Sequence, residues 1–220
     1  MTTWRWAALV SLAFLAISLS FGAVPGMQAC GVAPEPILAF ELVNTPAEVA
    51  ALFPESCRAV HAAAQRQALW LDILTFVPVY SAFLILSLVA LRRDGAGNAG
   101  LVRAAIAAVL VAALADQWEN SRLLAILAAL PGDQATIDAL WPAPRLKFLL
   151  LALIAALIGW LHFSRGGWQR IVGVVALLGG LASAAGVFLE PHLMLGASAA
   201  AWLALVLASW VLAWRKASPA

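Results

Sequence analysis

The sequence predicts an all-α polytopic membrane bundle of about six transmembrane helices, with both termini on the cytoplasmic side. Three observations predict it. Of the 220 residues, 64% are hydrophobic and only 11% are charged, whereas a soluble domain covers its surface with roughly 25% charged residues; the mean hydropathy is +0.95. Six apolar runs, near residues 6–23, 69–91, 101–123, 147–164, 171–190 and 196–214, each approach the ~20 residues that a bilayer requires. The basic residues also divide by side. With the N-terminus inside, Arg5, Arg92, Arg93, Arg103, Arg165, Arg170, Arg215 and Lys216 lie inside, while Arg58, Arg66, Arg122, Arg145 and Lys147 lie outside or near the outer edge, as the positive-inside rule asks. Asp94 is the one acid on the inner side. No stretch is polar enough to be cut out as a soluble domain, so residues 1–220 read as one integral membrane domain. The net charge of +2, with its positive residues scattered, gives no support to a nucleic-acid partner.

The first run opens "MTTWRWAALVSLAFLAISLS". A basic start, an apolar core and small residues at Ser18 and Ser20 also fit a cleavable signal peptide. The apolar run continues past Ser20, which favours a retained span. Residues 24–68 form an outer segment with helical signals of its own. Thr45 is an N-cap, Pro46 takes the first helical position and Glu48 closes a capping box. Pro54 restarts a helix that carries Cys57, His61 and Gln65 into the second span. In an oxidising compartment Cys30 and Cys57 can form a disulfide; two buried free thiols are the alternative, because spacing alone does not bring their Cα atoms into range. There is no C-x-x-C, hence no sign of a metal ribbon or haem attachment.

Pro78 should distort the second span and free a backbone carbonyl near Leu74. The inner loop "RRDGAGNAG" carries Gly and Asn as turn formers. "PGDQATIDALWPAPR" reads as an outer loop stiffened by Pro131, Pro142 and Pro144. His162 falls at the inner interface. In the fifth span, Gly179, Ser183 and Gly186, with Gly180 and Ala184 beside them, offer the small-residue spacing that lets helices approach closely. Trp4, Trp6, Trp168 and Trp214 fit one interfacial belt, and Trp70 and Trp141 the other.

The third span ends in "ALADQWENSRLLAIL", residues 113–127, which sets Asp116, Glu119, Asn120 and Arg122 within seven residues. Asp116 pairs with Glu119 at i, i+3 and with Asn120 at i, i+4, so all three share a face. Heights follow from a rise of 1.5 Å per residue: Asp72 is about 30 Å above Arg92, Asp116 and Glu119 about 20 and 24 Å above Arg103, Lys147 about 27 Å above Arg165, and Glu190 about 30 Å above Arg170. Ionisable groups from four helices thus reach one outer layer, with Arg145, His192 and His61 just above it. An unpaired charge at membrane depth costs at least ~2.5–3.5 kcal/mol. These groups are therefore expected to point inward and pair, with Lys147, Arg145 or Arg122 as the cation. No metal-binding pattern such as H-E-x-x-H occurs, and no cofactor is implied.

"FELVNTPAEVAALF", "LWLDILTFVPVYSAF", "DQWENSRLL" and "WPAPRLKFLLLALIAAL" together resemble a group of uncharacterised small bacterial polytopic membrane proteins with a D-x-x-E-N motif. The resemblance covers residues 38–160 and marks Phe40, Glu41, Leu42, Asp72, Pro78, Tyr80, Asp116, Glu119, Asn120, Trp141, Pro142 and Lys147. It implies a bacterial inner-membrane location and supplies no activity. Three functions compete. The polar layer, comprising Asp72, Asp116, Glu119, Asn120, Arg145, Lys147, Glu190 and His192, is structural or binds a lipid head group in a non-catalytic subunit, with membrane lipid or a membrane protein as partner. Alternatively, Asp116 or Glu119 is the acid or base of an enzyme acting on a lipid or isoprenoid, with Lys147 or Arg145 on an anionic head group. The third is a small transporter, against which stands the lack of an inverted repeat.

Overall fold

The computed structural model describes residues 2–31 and 33–215; Lys216, counted above among the inner cations, lies outside the described residues. All regular structure in them is helical. Six stretches are long and apolar enough to cross a membrane: Thr3–Gly22, Arg58–Arg93, Ala99–Ala128, Gln134–Phe163, Gln169–Leu189 and Pro191–Trp214. The chain is a multi-pass membrane protein by this architecture.

The first long helix is α1 (Thr3–Gly22). Two short helices follow, α2 (Pro36–Glu41) and α3 (Pro46–Leu52), each with proline in its first turn, where the missing N–H costs nothing. At α3 the Thr45 hydroxyl accepts from the Glu48 N–H at 3.2 Å. The Glu48 carboxylate reaches one residue further back than a capping box requires, accepting from the Asn44 N–H at 2.7 Å. The second long helix has three parts: α4 (Arg58–Leu71), a π-helical turn (Asp72–Phe76) and α5 (Val77–Arg93). The turn lies directly before Pro78, where a proline ring collides with the carbonyl four residues back.

Several boundaries differ from the sequence reading: the helix expected to restart at Pro54 begins at Arg58, and the sixth long helix begins at Pro191, five residues before its predicted start. The third long helix, α6 (Ala99–Ala128), runs five residues past the predicted end. The helix continues past Arg122 because Leu123, Ile126 and Leu127 are buried in a core. Residues 134–140, read as loop, form α7 (Gln134–Leu140), and α8 (Pro142–Phe163) follows directly. Pro142 and Pro144 therefore sit in the first turn of a helix instead of stiffening a loop. Asp133 caps α7, its carboxylate accepting from the Thr136 N–H at 2.7 Å; that bonding lowers its pKa below the ordinary carboxylate value. The last two helices, α9 (Gln169–Leu189) and α10 (Pro191–Trp214), are joined by the single extended residue Glu190.

Contacts group the chain into two compact units. The first comprises Met1–Phe14, Val79–Ala112 and Lys147–Ala220. Its interior includes Phe14 stacked on Trp202 at 4.9 Å between ring centroids, and Trp210 donating its indole N–H to Ser11 at 2.8 Å. The small residues of α9 serve two neighbours. A Cβ on Gly186 would lie 2.5 Å from the Met194 nitrogen of α10, and one on Gly180 would lie 2.6 Å from the Ala152 oxygen of α8. Ser183 and Ser198 share a 2.6 Å hydrogen bond between α9 and α10. Trp4, expected in an interfacial belt, is buried and donates to Asp94 at 2.8 Å. His162 is likewise buried, bonded through Nδ1 to the Gln169 side chain at 3.0 Å.

The second unit comprises Leu15–Pro78 and Ala113–Leu146. Phe40, Val49 and Phe53 from the short helices pack with Leu69 of α4, Leu123 and Ile126 of α6 and Ile137 of α7. Cys30 and Cys57 are joined by a disulfide, with Cα atoms 5.6 Å apart and a sequence separation of 27. Closing a loop of that length removes denatured-state entropy worth about 3–4 kcal/mol.

Candidate functional site

The second unit contains Asp72, Asp116, Glu119 and Asn120. Asp116, Glu119 and Asn120 are 2%, 0% and 1% exposed; the i, i+3 and i, i+4 spacing on α6 puts them on one inward face. Asp72 opens the π-turn. The Asn120 amide nitrogen donates to Asp72 at 2.6 Å and to Asp116 at 3.4 Å. One amide thus stands between two carboxylates of different helices. Carboxylates in a low-dielectric site repel when both are ionised, and the Asn120 amide offers its two hydrogens to both of them.

A second contact joins the same two elements. The Gln117 amide donates to the Ile73 carbonyl at 3.2 Å. In a π-turn the backbone N–H reaches back five residues instead of four; here the Val77 N–H bonds the Asp72 oxygen. The backbone carbonyl met by an outside donor is that of Ile73, one residue before the expected Leu74. The Thr75 hydroxyl completes the local set by donating to the Leu71 carbonyl at 2.5 Å. Gln117 was missed in sequence because a lone Gln beside a D-x-x-E-N run carries no spacing signal of its own.

The three cations proposed for this cluster have distinct surroundings. Arg122 is half-buried, its guanidinium 4.6 Å over the Trp118 ring. Arg145 donates to the Trp141 carbonyl at 2.8 Å and to the Asn44 side chain at 3.4 Å, tying α8 to the Asn44 turn. Lys147 is buried in the first unit, with its ammonium 4.5 Å from the Phe148 ring centroid. Glu190 and His192 also belong to the first unit and are exposed; the Glu190 carboxylate accepts from the His192 N–H at 3.1 Å and so caps α10. Among the described residues no group of three His, Cys, Asp or Glu side chains is placed to hold a metal ion.

His61 is 1% exposed in the second unit, 5.0 Å from the Phe53 ring. Gln65, one turn along α4, donates to the Pro36 carbonyl at 3.0 Å and lies 3.5 Å from the His61 Nε2. That pair pins α2 to α4. The chemistry open to the main cluster is hydrogen bonding between helices and, if one carboxyl holds a proton, proton exchange. Comparisons with protein families, with curated proteins and with solved structures found no match to this chain.

Proposed function

We propose that this chain is a non-catalytic subunit of the bacterial inner membrane, with both termini cytoplasmic, and that the Asp72–Asn120–Asp116 cluster is a structural clasp. The observation that carries the reading is that two amide side chains of α6 are spent on the neighbouring helix. Asn120 and Gln117 donate to consecutive residues, Asp72 and Ile73. The clasp holds α6 against a π-turn, the weakest point of the long helix, since a π-turn breaks the regular ladder. The positive-inside count supports the orientation, and a membrane protein is the proposed partner of such a subunit.

Thermal unfolding of Glu119→Gln in detergent tests this, with co-purifying lipid measured alongside. Glu119 is fully buried, so a carboxylate oxygen exchanged for an NH2 group should cost about 1–3 kcal/mol and leave lipid content unchanged. Unchanged stability with lost lipid or activity would overturn the clasp. One observation favours a second reading, a membrane-embedded enzyme on a lipid or isoprenoid: π-turns recur at functional sites, and this one faces the buried carboxylates. It requires the second of those two outcomes.

A further inference from the structure

The first unit carries two adjoining cavities that the clasp does not involve. One is an apolar groove of about 430 Å³ along α1 and α10, lined by Ala8, Leu9, Leu12, Trp210 and Trp214, with Arg5 at its mouth. The other, about 540 Å³, opens at the same end of the helices and brings Arg5, Arg93 and Arg215 together with Thr2 and Thr3. Arg5 and Ala213 line both, so an apolar slot leads directly into a basic one.

Among the described lining residues the basic cavity has three guanidinium groups and one acid, Asp94. Asp94 is already engaged, accepting from Trp4 at 2.8 Å and pairing with Arg165 at 3.9 Å. Arg5 spends its Nε on the Ala213 carbonyl at 3.3 Å and lies 5.6 Å over the Trp214 ring, which orients it and leaves its terminal nitrogens as donors. Arg93 donates one nitrogen to the Thr3 hydroxyl at 2.6 Å. Planar guanidinium groups match phosphate oxygens in bidentate geometry. Basic pockets between helices at the cytoplasmic face suit anionic head groups.

We propose that Arg5, Arg93 and Arg215 hold the phosphodiester of an anionic phospholipid whose acyl chain lies in the groove over Leu9, Leu12 and Trp210. The complementarity is twofold: net positive charge meets the head group, and the contiguous apolar slot meets the chain. A free phosphate would use only the first. The inference does not depend on the clasp, and its test uses different residues.

The experiment is lipid titration of the full delipidated chain in neutral detergent, read by native mass spectrometry, with phosphatidylglycerol against phosphatidylcholine of the same acyl chains. Phosphatidylglycerol should bind at least about tenfold more tightly. Arg5→Gln combined with Arg215→Gln should abolish that preference. Leu12→Trp, which fills the groove and keeps every arginine, should weaken phosphatidylglycerol several-fold, and excess inorganic phosphate should not displace it. Should the double variant fail to fold, Arg215→Gln alone carries the test, because Arg215 is exposed just past the end of α10. Equal affinity for the two lipids, or undiminished preference in the arginine variant, would overturn the proposal. Displacement by phosphate would overturn the assignment to a lipid.

Discussion

Asn120 shows why residue type matters at this position. A carboxylate in its place would add a third acceptor beside Asp72 and Asp116, and an alkyl group would leave both without the amide donor that links them. The asparagine NH2 supplies two hydrogens to two acceptors. Gln117 acts on the backbone instead, meeting the Ile73 carbonyl beside the π-turn. Gln117→Leu removes that donor and keeps the bulk, so thermal unfolding should show a loss of about 1 kcal/mol. No loss would mean that the carbonyl finds another donor or needs none. Arg122 teaches the opposite lesson. Its position in the D-x-x-E-N-x-R run suggests a counter-ion, yet its guanidinium lies over Trp118, because each residue of helix rotates a side chain by about 100°.

At the scale of elements, the helices follow from apolar length, while their ends follow from packing and capping. Pro142 and Pro144 read as loop residues in isolation, but an N-terminal first turn accepts proline as readily as a loop does. The α9 stripe was legible as a packing face, although which residue meets which neighbour was not. Gly186 and Gly179 face α10, and Gly180 faces α8. The backbone-to-backbone approach at Gly180 leaves no room for a side chain. Gly180→Leu should therefore separate α9 from α8 and lower the melting temperature sharply, by an overpacking cost of about 1–3 kcal/mol or more, whereas Gly196→Ala, where an added Cβ meets nothing within 4 Å, should leave it unchanged. Equal effects at the two positions would remove the packing role from the stripe.

At the scale of the whole molecule, composition and the six apolar runs made the multi-pass helical architecture readable before any coordinates. The candidate site was readable in part. Helical spacing placed Asp116, Glu119 and Asn120 on one face, and the rise per residue brought Asp72 to their height. Equal height, however, does not supply rotation about a helix axis. Hence Arg122 and Arg145 were expected at the cluster, yet one stacks on Trp118 and the other bonds Trp141 and Asn44. Glu190, predicted at the same height, caps its own helix. The disulfide could not be read from spacing, since it depends on how the short helices fold back on α4 around Phe40 and Phe53.

The clasp is tested most directly by a double-mutant cycle of Asp72→Ala and Asn120→Ala, followed by equilibrium unfolding in detergent. A direct 2.6 Å bond between their side chains predicts a coupling free energy of roughly 0.5–1.7 kcal/mol, the range for interhelical hydrogen bonds in membranes. Losses that simply add, with no coupling between the two positions, would contradict it.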